Sequence, residues 1–137
     1  MTEKKLFPIV LCIAALVFAT LACNFNASTA NISNVHLSRD VDDTEQTSVF
    51  APGDAAFYCF FDLNNAPADT VVKGVWTLVE AEGFDSNSVI DEATYTGGDD
   101  TLYFSLERSA DDWPVGKYKI DLYLTEELVQ TVNFEVQ

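Results

Sequence analysis

Residues 32–137 read as an all-β chain, a single antiparallel sandwich of seven short strands, on three observations. Runs rich in Val, Phe, Tyr, Leu and Thr recur between polar or Gly- and Pro-bearing breaks. Several runs alternate apolar and polar residues with a period of two, which sets one face against a core and the other in water. No stretch of ten or more residues sustains a helical period.

In chain order, the first strand falls over 32–38, after a polar stretch, and the second over 55–63, where Phe57-Tyr58-Cys59-Phe60-Phe61 is the densest aromatic run of the chain. The third, 71–79, carries Trp76, and the fourth covers 88–95. In the fifth, 101–107, Leu102, Phe104 and Leu106 share one face while Tyr103, Ser105 and Glu107 share the other. The sixth, 117–124, sets Tyr118, Ile120, Leu122 and Leu124 against Lys119, Asp121 and Tyr123. A tight hairpin at Thr125 to Leu128 leads to the last, 128–136. Trp76, Phe104, Tyr118, Ile120, Leu122 and Phe134 are expected to meet between the sheets.

Ahead of this body, Lys4 and Lys5 precede an apolar run from Leu6 that closes on Thr20-Leu21-Ala22-Cys23. A positive start, an apolar stretch and a small residue before a cysteine resemble a bacterial lipoprotein signal, with Thr20 and Leu21 in the reverse of that family's usual order. The resemblance implies a signal peptide over 1–22, a lipid on the Cys23 thiol, a tether over 23–31 and an extracytoplasmic domain anchored to a bacterial cell membrane. Cleavage after Ala22 with secretion is one alternative, and an uncleaved span from Leu6 to Ala22 is the other, though Pro8 shortens a run already brief for a bilayer. Cys12 reads as apolar filler within the run.

The chain has 7 basic and 22 acidic residues; without Glu3, Lys4 and Lys5, residues 24–137 hold 5 against 21, a net charge of −16. Such a surface repels phosphates, so nucleic acid is not an expected partner. Acidity of this degree keeps an exposed domain soluble. About 114 residues suffice for one domain with a single core.

Trp76 in the third strand, and Pro114-Val115-Gly116-Lys117-Tyr118 leading into the sixth, are similar to the buried tryptophan and the tyrosine corner of immunoglobulin-like sandwiches. Antibody-type domains follow that tyrosine by two residues with a cysteine; here Ile120 stands in that place and Cys59 occupies the second strand without a partner. The resemblance therefore implies a sandwich without a disulfide. Its Cys59 is expected to pack as a small apolar group, since Phe57, Tyr58, Phe60 and Phe61 offer no base or cation to stabilise a thiolate.

Enzyme signatures are scarce. His36 is the only histidine, and neither a Gly-x-Ser-x-Gly elbow nor a phosphate-cradling loop is present. A triad drawing on His36 and Asp40 has nothing in its spacing to select it. One histidine and no methionine after the signal exclude a blue-copper site, which needs two histidines and a cysteine. No cofactor is expected.

Two features remain as candidate sites. Asp40, Asp42 and Asp43 crowd one loop, and hard oxygen ligands on loops are what Ca²⁺ takes; Glu45 and Ala51, however, stand where an EF-hand needs glycine and the closing glutamate. Solvated turns, rich in Asp for conformational reasons, are the expected reading. Tyr58, Phe60, Tyr103 and Tyr123 fall on outward faces, and Trp113 falls in the loop before Pro114; side by side they would form a platform for a partner protein or a sugar ring, whereas a central strand 55–63 buried on both faces, or facing the other way, is the expected reading. The expected function is a non-catalytic, lipid-anchored binding or cell-envelope structural module, its partner an envelope protein or a glycan. Calcium-dependent adhesion and a small carboxylate-dependent hydrolase are the alternatives.

Overall fold

The computed structural model describes residues 28–137; the expected signal, Cys12, Cys23 and most of the expected tether lie outside the described residues. Eight strands make up the described chain: β1 (Asn31–Ser38), β2 (Val49–Phe50), β3 (Ala56–Asn64), β4 (Val71–Ala81), β5 (Ser88–Thr96), β6 (Asp100–Glu107), β7 (Gly116–Leu124) and β8 (Glu127–Val136). The seven expected strands are all present, each bound within two residues of its expected place. The count of seven is corrected to eight by β2. Two residues are too short to display alternation, and Val49–Phe50 is a strand only because β8 lies beside it.

The strands form a two-sheet β-sandwich, β1-β3-β6 facing β2-β8-β7-β4-β5. The expectation of a wholly antiparallel sandwich also needs correction, because β2 runs parallel to β8, pairing Val49 with Glu135 and Phe50 with Val136. The hairpin between β7 and β8 turns on Thr125 and Glu126 at φ 49° and 69°. Positive φ at both central residues matches the twist of the strands it joins, although neither residue type favours it.

Alternation then decides what is buried. Phe57, Cys59, Phe61 and Leu63 of β3 and Phe104 and Leu106 of β6 point inward, against Val72, Trp76 and Leu78 of β4, Tyr118, Ile120 and Leu122 of β7, and Phe134 and Val136 of β8. The six expected core residues are all in this layer. Phe57 sits at its aromatic centre, with ring centroids 4.7 Å from Phe50, 4.9 Å from Phe134 and 5.8 Å from Tyr118. Gly74 keeps the sheets close: a Cβ there would come within 2.5 Å of the Phe104 ring.

Strand register also gives the sandwich two distinct poles. Asn31 pairs with Asn64 and Asp100 with Leu63, so the described chain begins at the pole bearing the β3–β4 and β5–β6 connections and the β7–β8 hairpin. Gly116 pairs with Val136, which puts the end of the chain at the opposite pole, with the 39–48 loop and the β6–β7 connection.

Candidate binding face

Pairing β3 between β1 and β6 builds a row of aromatic groups on the outside of the three-stranded sheet. His36 lies opposite Phe60, and Phe60 opposite Tyr103; Tyr58 is one row away, opposite Ser105. Ring centroids are 5.4 Å apart for Phe60 and Tyr103, 5.7 Å for Tyr58 and Tyr103, and 5.6 Å for His36 and Phe60, whose planes are within 12° of parallel. Tyr103 is 47% exposed, while Tyr58 and Phe60 are half-buried by one another. Three of the candidate platform aromatics, Tyr58, Phe60 and Tyr103, are therefore adjacent, and β3 is central in its sheet but not buried on its outer face.

The others are elsewhere. Tyr123 is on the outer face of the other sheet, beneath Lys73, whose Nζ is 4.9 Å from the ring centroid. That is a cation–π contact within its own sheet. Trp113, expected as a loop-borne contact, belongs to the core: it is 9% exposed, stacks on Phe57 at 4.3 Å, and donates its indole N–H to the Asp54 carbonyl at 2.8 Å. Only its rim is visible, in a shallow apolar notch of about 270 Å³ shared with Leu78, Phe84, Ile90 and Pro114.

Polar groups border the aromatic row. Asp62, one row beyond Phe60, accepts from the Thr101 hydroxyl at 2.8 Å and the Asn34 amide at 3.4 Å, and Asn64 donates to the Ser33 hydroxyl at 2.9 Å. Asp62 was legible in the alternation of β3, which aligns it with Tyr58 and Phe60. His36 was not, because β1 shifts register between Ser33 and His36, with Asn34 at φ 53°.

His36 is fully engaged. Its Nε2 is 2.7 Å from the Asp43 carboxylate and its Nδ1 is 2.9 Å from the Asn34 carbonyl oxygen, so neither nitrogen is placed to take a proton from a serine. The acidic loop is organised from within. Asp40 accepts from the Thr44 backbone N–H at 2.7 Å, from the Thr44 hydroxyl and from Ser38 at 3.2 Å. The Thr44 hydroxyl bond, more than any other contact, holds its carboxyl below the usual aspartate range. Asp43 faces His36 and Asp42 faces solvent, so the three calcium candidates do not converge. Among the described residues no three His, Cys, Asp or Glu side chains are gathered as metal ligands would be. Cys59 is free and fully buried, and burial pushes its thiol up to about 12.

No family model matches this chain, and no curated protein matches it. Among solved structures, it is similar to part of the alkylpurine DNA glycosylase AlkC of Pseudomonas fluorescens, at 15% identity and a TM-score of 0.54, over 80% of this chain and 31% of that one. A β-glucosidase from Listeria innocua aligns at 14% identity and a TM-score of 0.50, over 78% of this chain and 15% of that one. The β-D-glucoside glucohydrolase of Trichoderma reesei aligns at 14% identity and a TM-score of 0.48, over 81% and 19%. The chain thus spans less than a third of each of these proteins. At such identities the likeness is one of fold and carries no activity with it.

Proposed function

We propose that the chain is a lipid-anchored, extracytoplasmic, immunoglobulin-like binding module without catalytic activity, held through Cys23 and presenting the outer face of its three-stranded sheet. The observation that carries this reading is the contiguous outer-face cluster of Tyr58, Phe60 and Tyr103, half-buried at the first two and 47% exposed at Tyr103. Tyr103, left exposed outside a sandwich whose core is already rich in aromatics, adds nothing to the packing of that core. The acidic loop supports the same choice over calcium-dependent adhesion or carboxylate hydrolysis, because Asp40 and Asp43 are turned to Thr44 and His36.

The immunoglobulin-like assignment draws on Trp76, buried in β4, and on Tyr118, whose hydroxyl donates to the Pro114 carbonyl at 2.6 Å in the manner of a tyrosine corner. One departure is plain: β5 pairs with β4 in the five-stranded sheet, where an antibody constant domain sends its fourth strand to the other sheet.

Fractionation tests the anchor. Wild-type protein should enter the membrane fraction with the mass of a lipid on Cys23, and Cys23→Ser should be released or misprocessed; a wild type without lipid, together with a variant still in the membrane, overturns it. For the face, Tyr103→Ala should reduce binding of the protein to isolated envelope fragments at least about tenfold while leaving its melting temperature unchanged.

A further inference from the structure

We propose that the outer face of the three-stranded sheet binds a neutral glycan, a hexopyranose ring lying on the exposed ring of Tyr103, beside Phe60, with its hydroxyls at Asp62 and Thr101. This rests on the binding-module reading and names the ligand class for that same face.

Strand pairing sets the chemistry in rows. His36, Phe60 and Tyr103 form the central row; Tyr58 and Ser105 lie on one side, and Ser33, Asp62 and Thr101 on the other. Residues two apart along a strand are about 7 Å from one another, so a ring stacked on the central row has hydroxyl and carboxylate groups within reach at its edge. Aromatic faces meet the C–H side of a sugar, and the flanking oxygens meet its hydroxyls. Asp62 is already fixed by Thr101 and Asn34, at 2.8 Å and 3.4 Å. A carboxylate has lone pairs beyond those two bonds, and a held acceptor loses little freedom on binding.

Composition separates this ligand from a protein partner. The centres of protein interfaces gain Met and Arg with their aromatics and lose Ser and Asp. Here the aromatics stand among Ser33, Ser105, Asp62 and Thr101, with no aliphatic, Met or Arg side chain in these rows. Charge narrows the sugar. Residues 24–137 carry 21 acidic side chains against 5 basic, so a uronate or phosphate-bearing polymer is repelled and a neutral one is not.

The test uses the full chain in a non-glycosidic detergent and envelope fragments of the source cells, either untreated, oxidised with periodate to cleave vicinal diols, or digested with protease. A panel of neutral oligosaccharides built on glucose, galactose, mannose and N-acetylhexosamines serves as competitor. The expected result is retention that survives protease, is lost after periodate, is competed by at least one member of the panel, and falls at least about tenfold in Tyr103→Ala. Tyr103→Phe keeps the ring and should keep retention, which assigns the effect to the ring and not to the hydroxyl, and an unchanged melting temperature in Tyr103→Ala separates stacking from damage to the fold. Tyr103-dependent retention that survives periodate and fails after protease overturns the glycan and leaves the face as a protein-binding one. Retention that is absent, or indifferent to Tyr103→Ala, overturns both readings.

Discussion

Trp113 stacks on Phe57, ring centroids 4.3 Å apart and planes at 28°, and so ties the β6–β7 connection to the centre of the core. Its backbone N–H bonds Pro52 at 2.9 Å and its indole N–H bonds Asp54 at 2.8 Å, joining that connection to the loop before β3. Trp113→Ala should therefore cost about 3–5 kcal/mol in urea unfolding, as for a core tryptophan. Trp113→Phe keeps an aromatic ring but loses the Asp54 bond, and should be milder. A Trp113→Ala variant with parental stability would contradict the core placement and restore Trp113 as a surface contact.

Trp76 offers a contrast. It is fully buried between Phe57 and Phe134, at 6.3 Å and 6.0 Å, and its indole N–H has no partner among the described residues. Trp76→Ala should also cost about 3–5 kcal/mol, from packing alone. Trp76→Phe removes an unpaired donor and should lose only volume. A loss in Trp76→Phe as large as in Trp76→Ala would contradict the assignment of the cost to ring packing.

Alkaline pH should unfold the domain through two neutral groups. Burial pushes Tyr118 and Cys59 each up to about 12, from ordinary values of 10.0 and 9.0. The neutral forms are the native ones, so their contribution is complete below the ordinary values and is lost as pH rises through about 12. Urea midpoints should stay level to about pH 9 and then fall. Tyr118→Phe should lose about 0.5–1.5 kcal/mol at neutral pH with the Pro114 bond, and show a shallower alkaline fall. Peptide mapping after thiol alkylation at pH 8 should find Cys59 unlabelled in the native protein and labelled in urea.

Gly116 is required by close approach. A Cβ at this position would collide with the Glu80 carbonyl oxygen and lie 3.0 Å from the Ala81 Cβ, in backbone that has little room to move. Gly116→Ala should destabilise by about 1–3 kcal/mol. Gly53→Ala, where a Cβ meets nothing within 4 Å, should leave the melting temperature close to parental and serves as the control.

In the acidic loop, the Asp40 carboxyl, held low chiefly by Thr44, contributes stability above the ordinary aspartate range and loses it as pH falls through its lowered value. Asp40→Ala and Thr44→Val should each weaken the fold, and the double variant should cost less than their sum. Millimolar Ca²⁺ at fixed ionic strength should give no saturable rise in melting temperature, while NaCl gives a gradual one by screening. A saturable calcium shift abolished by Asp42→Asn would make this loop a calcium site.

The outer platform is partly legible in the amino-acid sequence. Alternation in β3 and β6 fixes Tyr58, Phe60 and Tyr103 as outward once Phe57, Cys59 and Phe104 are taken inward, because side chains two apart share a face. Which strands adjoin is another matter. Tyr123 alternates just as clearly in β7, yet belongs to the opposite sheet, and local periodicity holds no information about partners. Trp113 was misplaced for a related reason: a single residue in a connection has no period, and its burial follows from where Phe57 and Asp54 stand.

What the sequence determined by itself is whatever repeats at short range: an all-β chain, its seven longer strands and the inward set from Trp76 to Phe134. Burial of alternate residues on a pleated strand writes those features locally. What only the tertiary structure decided is whatever depends on a neighbour distant in the chain. The two-residue β2 exists because β8 presents Glu135 and Val136 to it, and β5 joins the five-stranded sheet by pairing with β4. His36 enters the aromatic row through a register shift in β1. Long-range pairing is selected by the packing of the whole core, and no window of adjacent residues contains it.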